Sequence, residues 1–459
     1  MNPSNFKGKK ITIMGLGTLG GGVGVARYLL KQGAILTITD LRSRKQLMLA
    51  INKIGSKNIN YVLGKHREQD FKNSDLVIKN PAVSKESKYL KIAKKNNVPI
   101  ESDASLFFQL CNAPIIGVTG TKGKTTTVAL LADILKKAGR HVVLVGHNQI
   151  SVLDRLNLVK KNSIVIFELS SWRLEILKEH KISPHIAVIT NIAEDHLNTY
   201  HGMTDYVEAK SNIFAFQKNN DFVFLNKENS YTQKFGRSVR AKRFWFSKKY
   251  FPEQNGIYVK NDKFIFRNMG QEYTIAKVSA LKIKGDHNVE NALAAILIAK
   301  ILKVQNKYII KSLSSFAGLQ DRMEFVRTLN GKTFYNDTAA TIPEATVVAL
   351  RSFSEKVILI AGGVDKKVSY NMLAREIIKR VELAILLPGT ATDKLKIALN
   401  KNKYQYLEVK DLKSAVSEAY HIKSKSHIVL FSPGAASFNL FKNEFDRGEK
   451  FRQIVRKLK

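Results

Sequence analysis

Residues Gly120-Thr121-Lys122-Gly123-Lys124-Thr125-Thr126 have the composition of a phosphate grip. A glycine-rich turn before a helix points backbone N–H groups and the positive helix end at an anion. In such a loop Lys124 reaches the terminal phosphates of a nucleoside triphosphate, and the hydroxyl of Thr125 or Thr126 holds Mg²⁺. The apolar run Ile115–Thr119 before it and the helical pattern after it are the context this loop needs. The general pattern for such loops asks for glycine at position 118, where this chain has Val118.

A second cluster is acidic and carries a histidine. Glu168 closes an apolar run in Phe167-Glu168-Leu169-Ser170-Ser171, and Asn191 and Glu194-Asp195-His196 follow the run Ile186–Thr190. Lys210 lies in the helical stretch after them. Ligands of α/β sheets gather at the carboxyl ends of the strands, so Glu168, Asn191 and His196 should converge on the phosphate loop. A carboxylate at Glu168 and a hydroxyl at Thr125 are oxygen donors suited to Mg²⁺. A lone histidine is more often structural, but in this company His196 reads as functional.

Gly15-Leu16-Gly17-Thr18-Leu19-Gly20, followed by Asp40, has the spacing of a dinucleotide fingerprint. Alone it would mean NAD or FAD and an NAD-dependent oxidoreductase, but it leaves Gly21, Gly22 and Gly24 unexplained. Gly285-Asp286-His287-Asn288-Val289-Glu290-Asn291 looks like a helix start capped by Asp286 or Asn288. Asp321-Arg322, Asn336-Asp337-Thr338 and Ser432-Pro433-Gly434-Ala435-Ala436-Ser437 are weaker signals.

The elements that must position these groups alternate. Ile11–Gly15, Ala34–Asp40 and Asp75–Lys79 read as strands separated by helices, which predicts a parallel sheet with crossovers. Ala113-Pro114 punctuates the chain, and a second α/β unit follows with strands at 115–119, 142–145, 164–167 and 186–190. From about Asp221 to Ile275 the pattern predicts an antiparallel patch with Asn-Asp and Gly turns. Asn288–Leu302 reads as an apolar helix. After Leu319 a third α/β unit begins, with strands near 334–335, 357–361, 383–387 and 428–431.

At 459 residues the chain is too long for one core. Its 44% hydrophobic and 25% charged residues are ordinary for a globular protein. The single cysteine, Cys111, excludes a disulfide framework. The N-terminal residues lack the apolar core of a signal peptide, and no apolar run is long enough to cross a bilayer, so a soluble cytoplasmic protein is expected. Lys and Arg total 75 against 38 acids, a net charge of +37. The basic residues are spread along the chain, without a nucleic-acid-binding signature, so no specific nucleic-acid partner is expected.

Taken together, Gly-Thr-Lys-Gly-Lys-Thr-Thr, Glu-Leu-Ser-Ser, Asn-Ile-Ala-Glu-Asp-His-Leu, Gly-Asp-His-Asn-Val-Glu-Asn and Ser-Pro-Gly-Ala-Ala-Ser-Phe resemble the Mur ligase family. The resemblance runs from Gly15 to Phe451. It implies three α/β domains: a Rossmann-like UDP-binding domain over 1–112, a P-loop ATPase-like central domain with the added antiparallel patch over 113–319, and a Rossmann-like domain receiving the amino acid over 320–459. The implied activity is ATP-driven ligation of D-glutamate to UDP-N-acetylmuramoyl-L-alanine through an acyl phosphate. A relative adding another amino acid, such as L-glutamate, is the alternative.

The resemblance also assigns roles. Leu16, Thr18 and Arg42 would contact UDP, and Asn148 and Ser170 the muramoyl group. Residues 120–126, Asn288, Asn291, Arg322 and Asp337 would hold ATP. Thr341, Lys366 and Ser437 would hold glutamate. Glu168 and Thr125 would serve one Mg²⁺, and His196 with Lys210, carbamylated by CO₂, a second. A monomer is expected. The chain departs from the family pattern at Asp321, where histidine is usual, and at Ala339, where a lysine is missing. Two residues are inserted after Gly17, and Asn443-Glu444-Phe445 leaves the aromatic glutamate contact without a clear match.

Overall fold

The structure is a computed structural model that describes residues 6–18, 20–56, 58–81, 83–146, 151–194, 200–283, 285–366, 368–438 and 440–459. It contains three sheets in two compact units. One unit comprises residues 1–280 and 289–313, the other residues 281–288 and 314–459.

The first sheet contains β1 (Lys10–Met14), β2 (Ile35–Asp40), β3 (Ile59–Leu63), β4 (Leu76–Lys79) and β5 (Ile100–Glu101) in the order β3-β2-β1-β4-β5. All its pairings are parallel. This order reverses direction between β1 and β4, which opens a crevice beyond their carboxyl ends. The glycine turn Gly15–Gly20 therefore sits beside the loop that begins at Asn80. Two of the three otherwise unexplained glycines have a steric role: a Cβ on Gly22 would strike the Leu16 backbone, and one on Gly24 would strike Ser151, whereas one on Gly21 would meet nothing within 4 Å.

The second sheet contains β6 (Ile115–Thr119), β7 (His141–Val145), β8 (Ser163–Glu168), β9 (Ile186–Ile189), β10 (Phe222–Asn226), β11 (Lys242–Ser247), β12 (Gly256–Lys260), β13 (Lys263–Asn268) and β14 (Gln271–Lys277). Their order is β14-β13-β12-β11-β10-β9-β6-β8-β7. Every residue of β6 is buried, as a strand covered on both faces requires. The expected antiparallel patch over 221–275 is smaller in the structure. β10, β11 and the start of β12 extend the parallel sheet, and only β12-β13-β14 run antiparallel. Aromatic Phe222, Phe224, Phe244 and Phe246 alternate as strand residues do, but periodicity does not fix the direction of pairing. The Asn261-Asp262 turn was legible: both residues take positive φ between β12 and β13, the geometry of a tight hairpin.

The other unit holds β15 (Glu324–Leu329), β16 (Lys332–Asn336), β17 (Val357–Ala361), β18 (Val381–Leu386), β19 (Tyr406–Glu408) and β20 (Ile428–Phe431), ordered β15-β16-β20-β17-β18-β19. Only the β15–β16 pair is antiparallel. The switch point lies between β17 and β20, so the turns after Ala361 and after Phe431 face one crevice. The apolar helix expected at 288–302 runs from Asp286 to Ile301.

Candidate active site

β6 ends at Thr119 and the helix Lys124–Lys137 begins at once, leaving Gly120–Gly123 as the loop. Gly123 has φ +84°, and a Cβ there would strike the Asn291 side chain. The side chain of Lys124 folds back over the loop, and its Nζ donates to Gly120 O at 2.8 Å and Thr121 O at 3.1 Å. Thr125 Oγ1 donates to Glu168 Oε1 at 3.0 Å, so the two oxygen ligands expected to share Mg²⁺ do meet.

The end of β9 grips the loop from the other side. Asn191 O accepts from Thr121 N, Asn191 Oδ1 accepts from Lys122 N at 2.9 Å, and Asn191 Nδ2 donates to Lys122 O at 3.1 Å. Thr190 Oγ1 donates to Lys122 O at 2.6 Å, and Asn226 Nδ2 donates to Thr190 O at 2.9 Å. Lys210 is 2% exposed, and its Nζ donates to Gly120 O at 3.0 Å while lying 4.6 Å from the centroid of the Tyr206 ring. Tyr206 OH is 3.3 Å from Thr121 Oγ1. Asn291 Oδ1 accepts from Thr127 Oγ1 at 3.4 Å, which ties the helix Asp286–Ile301 to the phosphate helix.

Thus Lys124, Thr125, Glu168, Asn191, Lys210 and Asn291 are brought together as expected. Sequence reasoning did not single out Thr190, Tyr206 or Asn226. Thr190 and Asn226 carried the same signal as Glu168: a polar residue at the carboxyl end of a buried strand. His196 and Asn148 lie outside the described residues. Asn288 is buried in the helix start, its N–H donating to Gly285 O, on a segment of the other compact unit.

At the first sheet's switch point lies a cleft of about 740 Å³, lined by Leu16, Thr18, Arg42, Asn80, Tyr89 and Arg173 among others. The three expected UDP contacts are all on its wall. Leu16 is fully buried. Asp40 does not offer the free carboxylate a dinucleotide ribose needs. Its Oδ2 accepts from Gly17 N at 3.1 Å and its Oδ1 from Arg42 N at 2.9 Å, with Arg42 Nη1 at 3.5 Å. The dinucleotide fingerprint is thereby spent on holding β1, β2 and the glycine turn together. The Ser170 hydroxyl caps the helix Ser171–Glu179, accepting from Arg173 N at 3.4 Å.

In the other unit Lys366 Nζ donates to Thr341 Oγ1 at 2.9 Å, so two expected glutamate contacts touch. Burial lowers the Lys366 pKa, opposed by Glu444. The Ser437 hydroxyl is buried and makes no hydrogen bond among the described residues. Asp337 is buried, accepts from Ser432 Oγ at 2.7 Å, and has its pKa pushed up to about 7 by burial. Arg322 is exposed.

Two of the departures from the family pattern, Asp321 and Ala339, are neighbours, since Ala339 N donates to Asp321 O at 3.0 Å. The Asp321 carboxylate accepts from Arg452 Nη1 at 2.7 Å and Asn336 Nδ2 at 2.9 Å, a buried structural pair. Arg447, another residue the sequence did not flag, is 1% exposed and bonds Thr338 and the Ala435 carbonyl. Burial pushes its pKa down to about 10.

A glycine loop at a helix start, a hydroxyl–carboxylate pair beside it and a cleft of about 740 Å³ in one unit, with a second α/β unit in the same chain, fit an ATP-consuming ligase. Residues 118–299 match the Mur ligase middle domain, and residues 9–102 match the MurD-like N-terminal domain of Mur ligases. The chain belongs to the Mur ligase family of ADP-forming amide ligases. Among its relatives is the UDP-N-acetylmuramoylalanine–D-glutamate ligase of a Roseiflexus species, 41% identical over 98% of both chains. The enzyme of the same name from Borreliella afzelii is 39% identical over 99% of both. UDP-N-acetylmuramate-alanine ligase MurC from Thermotoga maritima shares the fold, with a TM-score of 0.62 and 20% identity over 98% of this chain and 99% of that one. MurF from Acinetobacter baumannii does so at a TM-score of 0.59 and 15% identity, over 100% of this chain and 92% of that one. No described helix is long and apolar enough to cross a membrane.

Proposed function

We infer that the chain joins D-glutamate to the alanyl carboxylate of UDP-N-acetylmuramoyl-L-alanine, a step of peptidoglycan precursor synthesis in the cytoplasm. The observation that carries the choice of amino acid is whole-length identity of 41% and 39% to ligases named for D-glutamate. A carboxylate oxygen of the alanyl group attacks the γ-phosphorus of ATP, and ADP leaves. The glutamate amine then attacks the acyl carbon, loses a proton, and phosphate leaves as the amide forms.

The protein's work is positioning and charge neutralisation. Lys124 leaves its own loop carbonyls for the phosphates, while Asn191 and Thr190 keep the loop in shape. Asn288, Asn291, Arg322 and Asp337 are the proposed further ATP contacts. Leu16, Thr18 and Arg42 are proposed for UDP, Ser170 and Asn148 for the muramoyl group, and Thr341, Lys366 and Ser437 for glutamate. The Thr125 hydroxyl and the Glu168 carboxylate, 3.0 Å apart, are hard oxygen donors that fit Mg²⁺. When bound, Mg²⁺ supplies neutralisation of phosphate charge. A second ion, on His196 and a carbamylated Lys210, belongs to the same proposal, as does a monomeric state. Lys210→Ala should then be poorly active and partly rescued by acetate or formate, and no rescue rejects the carbamate.

The deciding experiment is phosphate release with ATP and UDP-N-acetylmuramoyl-L-alanine against a panel of amino acids that includes both glutamate enantiomers. Release driven by D-glutamate is expected. Release driven instead by L-glutamate or another amino acid overturns the assignment.

A further inference from the structure

The cleft at the first sheet is built almost wholly from residues before position 104; Gly146 and Arg173 are the exceptions. Arg173 stands in the first turn of the helix Ser171–Glu179, five residues beyond Glu168. Its guanidinium is held on one edge only. Nε donates to Asp103 Oδ1 at 3.4 Å and Nη2 to Asp103 Oδ2 at 2.8 Å. Nη1 makes no hydrogen bond to any described protein group. Asp103 is 3% exposed, and the Arg173 side chain is 17% exposed. The guanidinium carbon lies 5.7 Å from the centroid of the Phe167 ring, the residue before Glu168.

This arrangement aims a fixed cation. Asp103 and the Phe167 ring fix the plane of the guanidinium, so little side-chain entropy remains to be lost on binding. Burial works against the charge, but the Asp103 carboxylate outweighs it and keeps the group cationic. The group stands in the cleft wall just along the chain from the Thr125–Glu168 pair. The proposed UDP contacts Leu16, Thr18 and Arg42 line the first-sheet side of the cleft, which leaves the side of Gly146 and Arg173, from the sheet that carries the ATP loop, for the substrate's alanyl end. An anion approaching a triphosphate needs a cation of its own to offset the repulsion.

We propose that Arg173, oriented by Asp103, binds the alanyl carboxylate of the UDP-linked substrate through its free Nη1 edge and guides it toward the phosphate loop. The inference rests on the function proposed above. A purely structural Arg173–Asp103 pair is the competing explanation.

The test is calorimetric binding to the full-length enzyme of UDP-N-acetylmuramoyl-L-alanine and of its carboxamide analogue, with UDP as a third ligand. Wild type should prefer the carboxylate over the amide by about 10-fold or more, as expected for a charge-assisted hydrogen bond. Arg173→Gln should lose that preference while binding UDP as before, and Arg173→Lys should restore part of it. Equal weakening of all three ligands would place the contact at the diphosphate and overturn the proposal. An unchanged carboxylate-to-amide ratio in Arg173→Gln, with only a lowered Tm, would leave a structural pair and also overturn it. Wild type that binds UDP but not UDP-N-acetylmuramoyl-L-alanine would remove the parent function, and this inference with it.

Discussion

Lys124 and Lys210 donate to the same acceptor, the carbonyl of Gly120, at 2.8 and 3.0 Å. One lysine comes from the helix that follows the loop and the other from a helix 86 residues later in the chain. Shared use of one carbonyl couples the loop's shape to both. In the proposed reaction Lys124 exchanges this carbonyl for a phosphate, and a carbamylated Lys210 would likewise give up its cationic contact there. Lys124→Ala should lower kcat/KM by ~10²–10³-fold, the scale of a lost electrostatic contact to a reacting group. Steady-state phosphate release reads this directly, and near-normal turnover would reject the role.

Asn191 clamps the loop through three hydrogen bonds without belonging to it. Asn191→Ala should raise KM for ATP several-fold while leaving UDP binding unchanged, because that cleft is lined elsewhere. Separate titrations of ATP and UDP distinguish this from general unfolding.

Gly123→Ala should be worse than its size suggests. It places a side chain at φ +84°, at a cost of about 1–2 kcal/mol, and drives the new methyl into Asn291. Weakened nucleotide binding with a modest fall in Tm is expected. Unaltered ATP affinity would mean that the loop does not need this close approach.

Asp337 gives a pH prediction. Its folded-state pKa of about 7 lies above its ordinary 3.8, because burial penalises the charged form. The fold therefore favours the protonated acid. This stability is fully present below about pH 4 and is lost as pH rises through 7. Asp337→Asn should flatten the pH dependence of Tm between 4 and 7. Identical slopes in wild type and variant would refute the shift.

Arg452 and Asp321 are a buried pair, each side chain at or below 6% exposure. Arg452→Met leaves Asp321 without its cation and close to Glu324, and should destabilise the fold by about 3–5 kcal/mol. Chemical denaturation measures this, with partial recovery expected at acid pH as the carboxylates protonate. A loss below 1 kcal/mol would show that the pair does not support the fold.

Much of the candidate phosphate site was legible because it is local. A buried strand, a glycine turn and a helix start are adjacent in the chain, and Gly120–Thr126 states them in order. Polar residues at strand ends, such as Glu168 and Asn191, could be placed once a parallel sheet was inferred, since such strands share one functional edge. Asp40 shows the opposite case. Its spacing from Gly15 fits a dinucleotide fingerprint, yet its carboxylate is consumed by Gly17 and Arg42.

What the sequence determined by itself was the α/β class, the glycine loop between a buried strand and a helix start, and the identity of the groups at the strand ends. These follow from periodicity and from residues close in the chain. Only the tertiary structure decided that β10 and β11 extend the sheet in parallel, that Tyr206 lies under Lys210, and that Asp103 holds Arg173 from 70 residues away. Strand direction and long-range pairing are set by which apolar faces bury together, and packing between distant segments leaves no fixed spacing in the chain.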